Sequence, residues 1–225
     1  MTKKITIAVD GFSACGKSTL ARDLARKLDY LFVDSGAMYR AVSLYALRQN
    51  LFSKGVLHSK QLIELLNSIN LEFRKVNNLP HIFLNGRDVE DEIRTNEVAK
   101  VVSLVSAIKE VREKLVVEQR KMAVHGGIVM DGRDIGTVVF PNAELKLFVT
   151  ANVLVRTQRR LAELKSKGIQ TNLEEVKLNL EERDFLDTTR KESPLKQAED
   201  AVLLDNSNMT KEEQLSWVMQ LIKSS

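Results

Sequence analysis

Gly11-Phe12-Ser13-Ala14-Cys15-Gly16-Lys17-Ser18 fills every fixed position of the phosphate-loop pattern G-x-x-x-x-G-K-S/T, and Thr19 follows it. The glycines let backbone wrap closely around phosphate oxygens, so that successive N–H groups point at the anion. At this spacing Lys17 reaches the β- and γ-phosphates of a nucleoside triphosphate, and the Ser18 hydroxyl falls on its Mg²⁺. A glycine turn beside a surface lysine can produce the same letters, so the flanks decide. Ile5-Thr6-Ile7-Ala8-Val9 ahead of the pattern is short, apolar and β-branched, as a buried parallel strand should be. Behind it, Leu20, Ala21, Leu24, Ala25 and Leu28 share one helical face. The positive end of that helix adds to the anion site.

Two groups of arginines depend on helical geometry. Arg156, Arg159 and Arg160 sit at i, i+3 and i+4, and Arg183, Asp187 and Arg190 at i, i+4 and i+7, so each set shares a face. Asn172-Leu173-Glu174-Glu175 resembles a capping box and supports a helix under the second set. Alone, each set describes a solvated face with one salt bridge. Beside a phosphate loop the balance shifts, because a transferring phosphoryl group needs cations around its spread charge. Arginines on a closing lid supply them while excluding water. A kinase is thus favoured over a protein that only binds nucleotide.

Asp131-Gly132-Arg133-Asp134-Ile135-Gly136 offers a guanidinium for an anion and a carboxylate for a hydrogen-bond donor. A turn with a local Arg–Asp pair explains it equally well, and Asp34-Ser35-Gly36 with Arg40 carries the same ambiguity. His58, His81 and His125 have no clustered partners, which argues against a histidine metal site. Cys15 fits the loop as a small side chain rather than as a nucleophile. Trp217 falls in an apolar helical pattern and reads as packing, while Met38 and Tyr39 suit a pocket wall or a core alike.

The elements that must position these residues follow from periodicity. Ile5–Val9, Tyr30–Val33, Ile128–Met130, Leu145–Val149 and Ala201–Leu204 are apolar runs with helical patterns between most of them, which predicts a parallel sheet covered by helices. Ligands bind beyond the carboxyl ends of such strands. Between the second and third runs, helix-like Ala37–Asn50 and His58–Ile69 precede two strand-like runs, 71–76 and 81–86, around Asn77-Asn78. A helix with Val98, Val101, Val102 and Val105 at helical spacing follows. One domain over 1–225 is expected, with a core over about 1–56 and 98–225 and an inserted substrate-side subdomain over about 57–97.

The 225 residues are 44% hydrophobic and 28% charged, ordinary values for a globular chain with a sizeable core. The net charge of +4 comes from 34 basic and 30 acidic side chains, interspersed rather than massed, which gives no ground for a nucleic-acid partner. A single cysteine excludes an intramolecular disulfide. The apolar run ahead of Asp10 is too short for a signal peptide or a membrane span, so a cytoplasmic protein with no membrane partner is expected.

Taken together, the phosphate loop, Asp34-Ser35-Gly36-Ala37-Met38-Tyr39-Arg40, Glu92-Ile93-Arg94-Thr95, the run from Asp131 through Ile135 and Val139 to Pro141, and Glu182-Arg183-Asp184 closely resemble the bacterial cytidylate kinases. The likeness keeps its order from the N-terminus to about Leu204. It implies a phosphate-loop NTPase fold of the α/β class, three-layered around a five-stranded parallel sheet. It also implies an inserted monophosphate-binding subdomain and a helical lid over about 153–172. The implied reaction is ATP + CMP (or dCMP) → ADP + CDP (or dCDP) with Mg²⁺, by a monomer.

Carried over by position, Gly11 to Thr19 would hold ATP, and Ser103, Arg112 and Asp134 would read cytosine. Arg183 and Asp187 would hold the sugar, Arg40, Arg133 and Arg190 would grip the substrate phosphate, and Ser35 would join the CMP residues. Arg156, Arg159 and Arg160 would belong to the lid, and with Lys17, Arg133 and Arg190 would make up the catalytic cations. Three departures stand out: Phe12 where the family commonly has proline, Phe185-Leu186 in a stretch richer in charge, and Ser193-Pro194-Leu195 for alanine-proline-leucine. Rival readings are a phosphate-loop kinase for UMP, AMP or a non-nucleotide such as shikimate, a GTPase, and a non-catalytic nucleotide binder. The GTPase lacks its guanine-reading N-K-x-D, and a non-catalytic binder would not need both arginine groups.

Overall fold

The computed structural model describes residues 4–77 and 79–224. In chain order the elements are β1 (Thr6–Gly11), α1 (Lys17–Leu28), β2 (Leu31–Asp34), α2 (Ser35–Arg48), β3 (Phe52–Ser53), β4 (Val56–Leu57), α3 (Ser59–Leu65), β5 (Leu71–Val76), β6 (Leu79–Leu84), β7 (Arg87–Asp88), α4 (Asn96–Ser106) and α5 (Lys109–Met122). The chain continues through β8 (Ile128–Gly132), a π-helical turn over Ile135–Val139, β9 (Leu145–Thr150), α6 (Val153–Ser166), α7 (Leu173–Thr189), β10 (Val202–Asp205) and α8 (Lys211–Ser224). It divides into two compact units, Met1–Phe32 with His125–Ser225, and Val33–Val124.

The first unit is built on the five-stranded sheet, in the order β10-β9-β1-β8-β2. β1 pairs in parallel with both β8 and β9, and β9 with β10. All five strands expected from the sequence are present, displaced by one or two residues. β1 is nearly all buried, which is why it is a run of Ile, Ala and Val rather than an alternating strand. Ile7, Val9, Leu20, Leu24, Val129, Leu147, Val149 and Val218 form this unit's core, with Trp217 packed against it as expected. The central place of β1 puts its carboxyl end, where Asp10 leads into the phosphate loop, between the ends of β8 and β9.

The second unit gathers α2, α3, α4, α5 and the antiparallel sheet β5-β6-β7 around Met38, Val42, Leu62, Ile82, Ile93, Val98, Val105 and Leu115. The segment 57–97 lies within this unit, which also takes in the helices on either side. α2 starts two residues ahead of the expected Ala37 because Asp34 caps it, its carboxylate accepting from Ala37 N at 3.0 Å. The helix expected to run to Ile69 ends at Leu65 and tightens into a 3₁₀ turn over Leu66–Ser68.

The 71–76 strand is where the sequence puts it, whereas the second begins at Leu79, and Asn78 lies outside the described residues. Asn85 and Gly86, expected at the end of that strand, instead make a turn into β7, both at positive φ. Asn-Gly is itself a strong hairpin signal, so β7 was legible.

Candidate active site

The phosphate loop leaves β1 at Gly11, whose φ is +152° and where an added Cβ would lie 2.1 Å from the carbonyl oxygen of Val149, so only glycine fits. Ala14 and Gly16 are both left-handed, and such reversals turn neighbouring N–H groups to one side of the chain. The N–H groups of Thr19 and Leu20 bond to Gly16 carbonyl as α1 begins. Lys17 is buried and its ammonium curls back to donate to the carbonyl of Phe12 at 3.0 Å. Burial, and then the Arg133 guanidinium, hold Lys17 below the ordinary lysine pKa. Ser18 Oγ donates to Oδ2 of Asp131 at 2.5 Å.

The loop is pinned from the turn after β10 and from α6 and α7. Asn206 is fully buried, and its Nδ2 donates to the carbonyl of Cys15 at 2.7 Å and to Gln214 Oε1 at 2.9 Å. Arg159 donates to Asn206 Oδ1 at 2.8 Å and to its backbone carbonyl at 3.0 Å. Arg156 is buried, donates to the carbonyl of Ser13 at 3.2 Å, pairs with Asp184, and stands over the Phe12 ring at 5.2 Å. Phe12 meets Phe148 edge-on, with 5.8 Å between ring centroids. The structure therefore brings Arg156 and Arg159 to the loop, while Arg160 pairs with Glu163 along its own helix at 2.8 Å.

A second group of cations lies beyond β8. Arg133 donates through Nε to Asp187 Oδ2 at 2.7 Å and through Nη2 to Ser13 Oγ at 2.8 Å, so it ties the loop to α7. Arg190 donates to the carbonyl of Ser193 at 2.9 and 2.7 Å and to Asp187 Oδ1 at 3.4 Å, with Asp134 Oδ1 at 4.0 Å. Burial pushes the Asp187 carboxyl up, but the charges of Arg133, Arg190 and Arg183 outweigh it and hold the group below the usual carboxylate range. The expected capping contact at Asn172 is present, its side chain accepting from Glu175 N at 2.9 Å.

In the second unit, Asp34 receives Arg40 at 2.7 Å with Arg94 3.7 Å away, and Arg94 in turn holds Glu90 through Nε at 2.8 Å. Burial raises the Asp34 carboxyl, yet these two guanidiniums bring its pKa below normal. Ser35 is buried in the first turn of α2. Arg112 is buried, donates to the carbonyl of Ser106 at 3.0 Å and stands 5.2 Å from the Tyr39 ring. Ser103 lies in the last turn of the preceding helix, its carbonyl accepting from Ser106 Oγ at 3.2 Å. Met38 and Tyr39 are both buried, Met38 in this unit's core and Tyr39 beneath that guanidinium.

The sequence of these motifs matches the family model for cytidylate kinase over residues 7–224. The cytidylate kinase of Bacteroides fragilis is 52% identical over 219 residues, 96% of each chain. This chain belongs to the cytidylate kinase family. That of Flavobacterium johnsoniae is 51% identical over 222 residues, 98% of this chain and 96% of its own. Among solved structures, an uncharacterized protein from Eubacterium ventriosum shares the fold, with a TM-score of 0.54 at 12% identity over 99% of this chain and 100% of that one.

Residues that motif reading passed over now stand out within the cytidylate kinase framework. Asp10 and Asn206 are buried polar groups bonded to the loops on either side. A carboxylate ending an otherwise apolar central strand was the available signal for Asp10. Asn206 had only its place just after β10.

Proposed function

We propose that this cytidylate kinase family member transfers the γ-phosphoryl group of ATP to CMP and dCMP through the residues just described. The observation that carries the proposal is the convergence of Lys17, Arg133, Arg156 and Arg159 on one phosphate loop, four cations within a single unit. The loop backbone cradles the triphosphate, and Lys17 neutralises the β- and γ-oxygens. Arg156 and Arg159, on the lid over about 153–172, draw toward the transferring group as the lid closes, with Arg160 completing the set. The attacking group is already a phosphate oxygen, so positioning and charge neutralisation suffice without a general base.

Substrate contacts are proposed on each unit. On the first, Asp134 accepts from the exocyclic amino group of cytosine, as acidic side chains do at cytosine edges. Arg183 and Asp187 hold the sugar, and Arg133 and Arg190 grip the phosphate. On the second, Arg112 and Ser103 donate to the ring nitrogen and carbonyl, with Ser35 and Arg40 at the head of α2 toward the phosphate. Residues 57–97 serve as the monophosphate-side insertion.

Ser18 and Asp131 fit Mg²⁺: two hard oxygen donors, one of them anionic, stand 2.5 Å apart. Mg²⁺ is usually held by one or two protein ligands together with substrate phosphates, and no cluster of three ligating side chains occurs among the described residues. Bound there, the ion neutralises charge developing on the phosphate oxygens. We place the protein in the cytoplasm as a monomer; no helix among the described residues is long and apolar enough to cross a membrane.

The test is ADP release from ATP–Mg²⁺ with CMP, dCMP, UMP, AMP and GMP offered separately. Turnover mainly with CMP and dCMP supports the whole assignment. Preference for another monophosphate keeps the kinase and discards Ser103, Arg112 and Asp134 as base readers. Silence with all five, in a protein that binds ATP, overturns the reaction. Asp134→Asn is expected to lower the CMP-to-UMP ratio of kcat/KM; an unchanged ratio removes Asp134 from the base-reading set.

A further inference from the structure

Asp10 ends the apolar run of β1 one residue before the phosphate loop, and only 4% of it is exposed. Both of its carboxylate oxygens are used by one neighbouring turn. Oδ1 accepts from Ile135 N at 2.8 Å, and Oδ2 accepts from Gly136 N at 2.7 Å. These are the first two donors of the π-helical turn Ile135–Val139, whose own cap residue, Asp134, makes no side-chain capping bond. Helix starts leave such N–H groups without intrahelical partners. Here a remote strand supplies the cap.

An added Cβ at Gly136 would crowd Lys146 Cδ, at 3.1 Å, and stand in ordinary contact with Asp10 Oδ2, at 3.4 Å. Burial pushes the Asp10 carboxyl up to about 7; the two backbone bonds and Lys17 work against that rise, and Asp134 adds to it.

We propose that Asp10 is a positioning residue for cytosine recognition: its carboxylate fixes the backbone at Ile135 and Gly136 and so sets where Asp134 stands. The inference rests on the assignment of Asp134 as a base reader. The phosphate loop does not depend on the same clamp, because Ser18–Asp131, Cys15–Asn206 and Ser13–Asp184 tie it separately. Loss of the clamp thus weakens CMP recognition and spares ATP.

The experiment is steady-state kinetics of Asp10→Asn, whose amide oxygen can accept one of the two bonds while its NH₂ faces the other donor. The expected result is a CMP KM raised about tenfold or more, an ATP KM changed less than about twofold, a lower CMP-to-UMP ratio, and a melting temperature at pH 8 no lower than that of the unmodified protein. Unchanged CMP KM and base preference overturn the proposal, and so do equal rises in both KM values. Should Asp10→Asn not fold, Asp10→Glu keeps the charge and moves both acceptor oxygens by one methylene away from the Ile135 and Gly136 N–H groups. The same CMP-selective rise supports the clamp, and a wild-type CMP KM refutes it. Asp134→Asn is measured alongside. If it shifts the base ratio and Asp10→Asn does not, the clamp fails alone; if Asp134→Asn leaves the ratio unchanged, the base-reading assignment fails and the clamp with it.

Discussion

Arg133 Nε donates to Asp187 Oδ2 at 2.7 Å, and the two side chains are only 19% and 13% exposed. The same carboxylate accepts from Arg190 at 3.4 Å through its other oxygen. One anion on α7 thus holds two of the guanidiniums assigned to the substrate phosphate, and aims Arg133 back at Ser13.

Asp187→Asn keeps the shape and removes the charge that Arg133 and Arg190 both face. We expect a stability loss of about 2–4 kcal/mol together with a fall in kcat/KM for CMP. Because Asp187 is held below its ordinary pKa, its contribution is present above the unfolded carboxylate value and is lost as pH falls through the lower folded one. Urea unfolding at pH 7 and at pH 3 checks this: the deficit of the variant should be clear at the first and smaller at the second.

Lys17→Ala removes the ammonium from the centre of the loop. Single-turnover transfer should fall by about 10²-fold or more. The melting temperature at pH 7 should hold or rise, since burial already disfavours the charged form. A folded variant with near-normal transfer contradicts the role given to Lys17.

The Phe12 ring joins Phe148 to Arg156. Phe12→Leu keeps apolar bulk but loses the π face beneath the guanidinium, worth about 0.5–2 kcal/mol. We expect kcat to fall while the CMP KM stays put, because Arg156 is the residue proposed for the transfer step rather than for CMP recognition. Phe12→Leu with wild-type kcat would show that Asp184 and the carbonyls of Ser13 and Ala151 hold Arg156 in place without the ring.

Asp10 makes the opposite pH prediction to Asp187. Its folded pKa of about 7 exceeds the ordinary value of 3.8, so its contribution is fully present below 3.8 and is lost as pH rises through 7. Across pH 4 to 8 the protein should therefore lose stability relative to Asp10→Asn, by an amount on the order of a few kcal/mol. Denaturant midpoints measured along that range give the answer, and parallel curves for the two proteins would rule it out.

The phosphate loop, the five core strands and the arginine spacing were legible in the chain because each is a local pattern: fixed glycine spacing, apolar runs of strand length, i, i+3 and i+4 repeats. Asn172 marked the start of the helix that carries Arg183 and Asp187, while Arg190, expected on the same helical face, is the C-cap just beyond Thr189 with extended ψ of 143°. Where boundaries moved, a side chain from just outside the element was responsible, as with Asp34 at the head of α2.

Partnership was not legible. Arg159 and Arg160 are adjacent and chemically alike, yet one reaches Asn206 and the other only Glu163. Asp187 could have been a surface acid, and Asp10 an odd letter in an apolar strand, until their bonds to Arg133 and to the Ile135–Gly136 turn were seen across 54 and 125 to 126 positions of chain. Sequence periodicity states which face a residue occupies. Which distant group meets it there, and with what burial, depends on sheet order and register, and those are settled only when the strands pair.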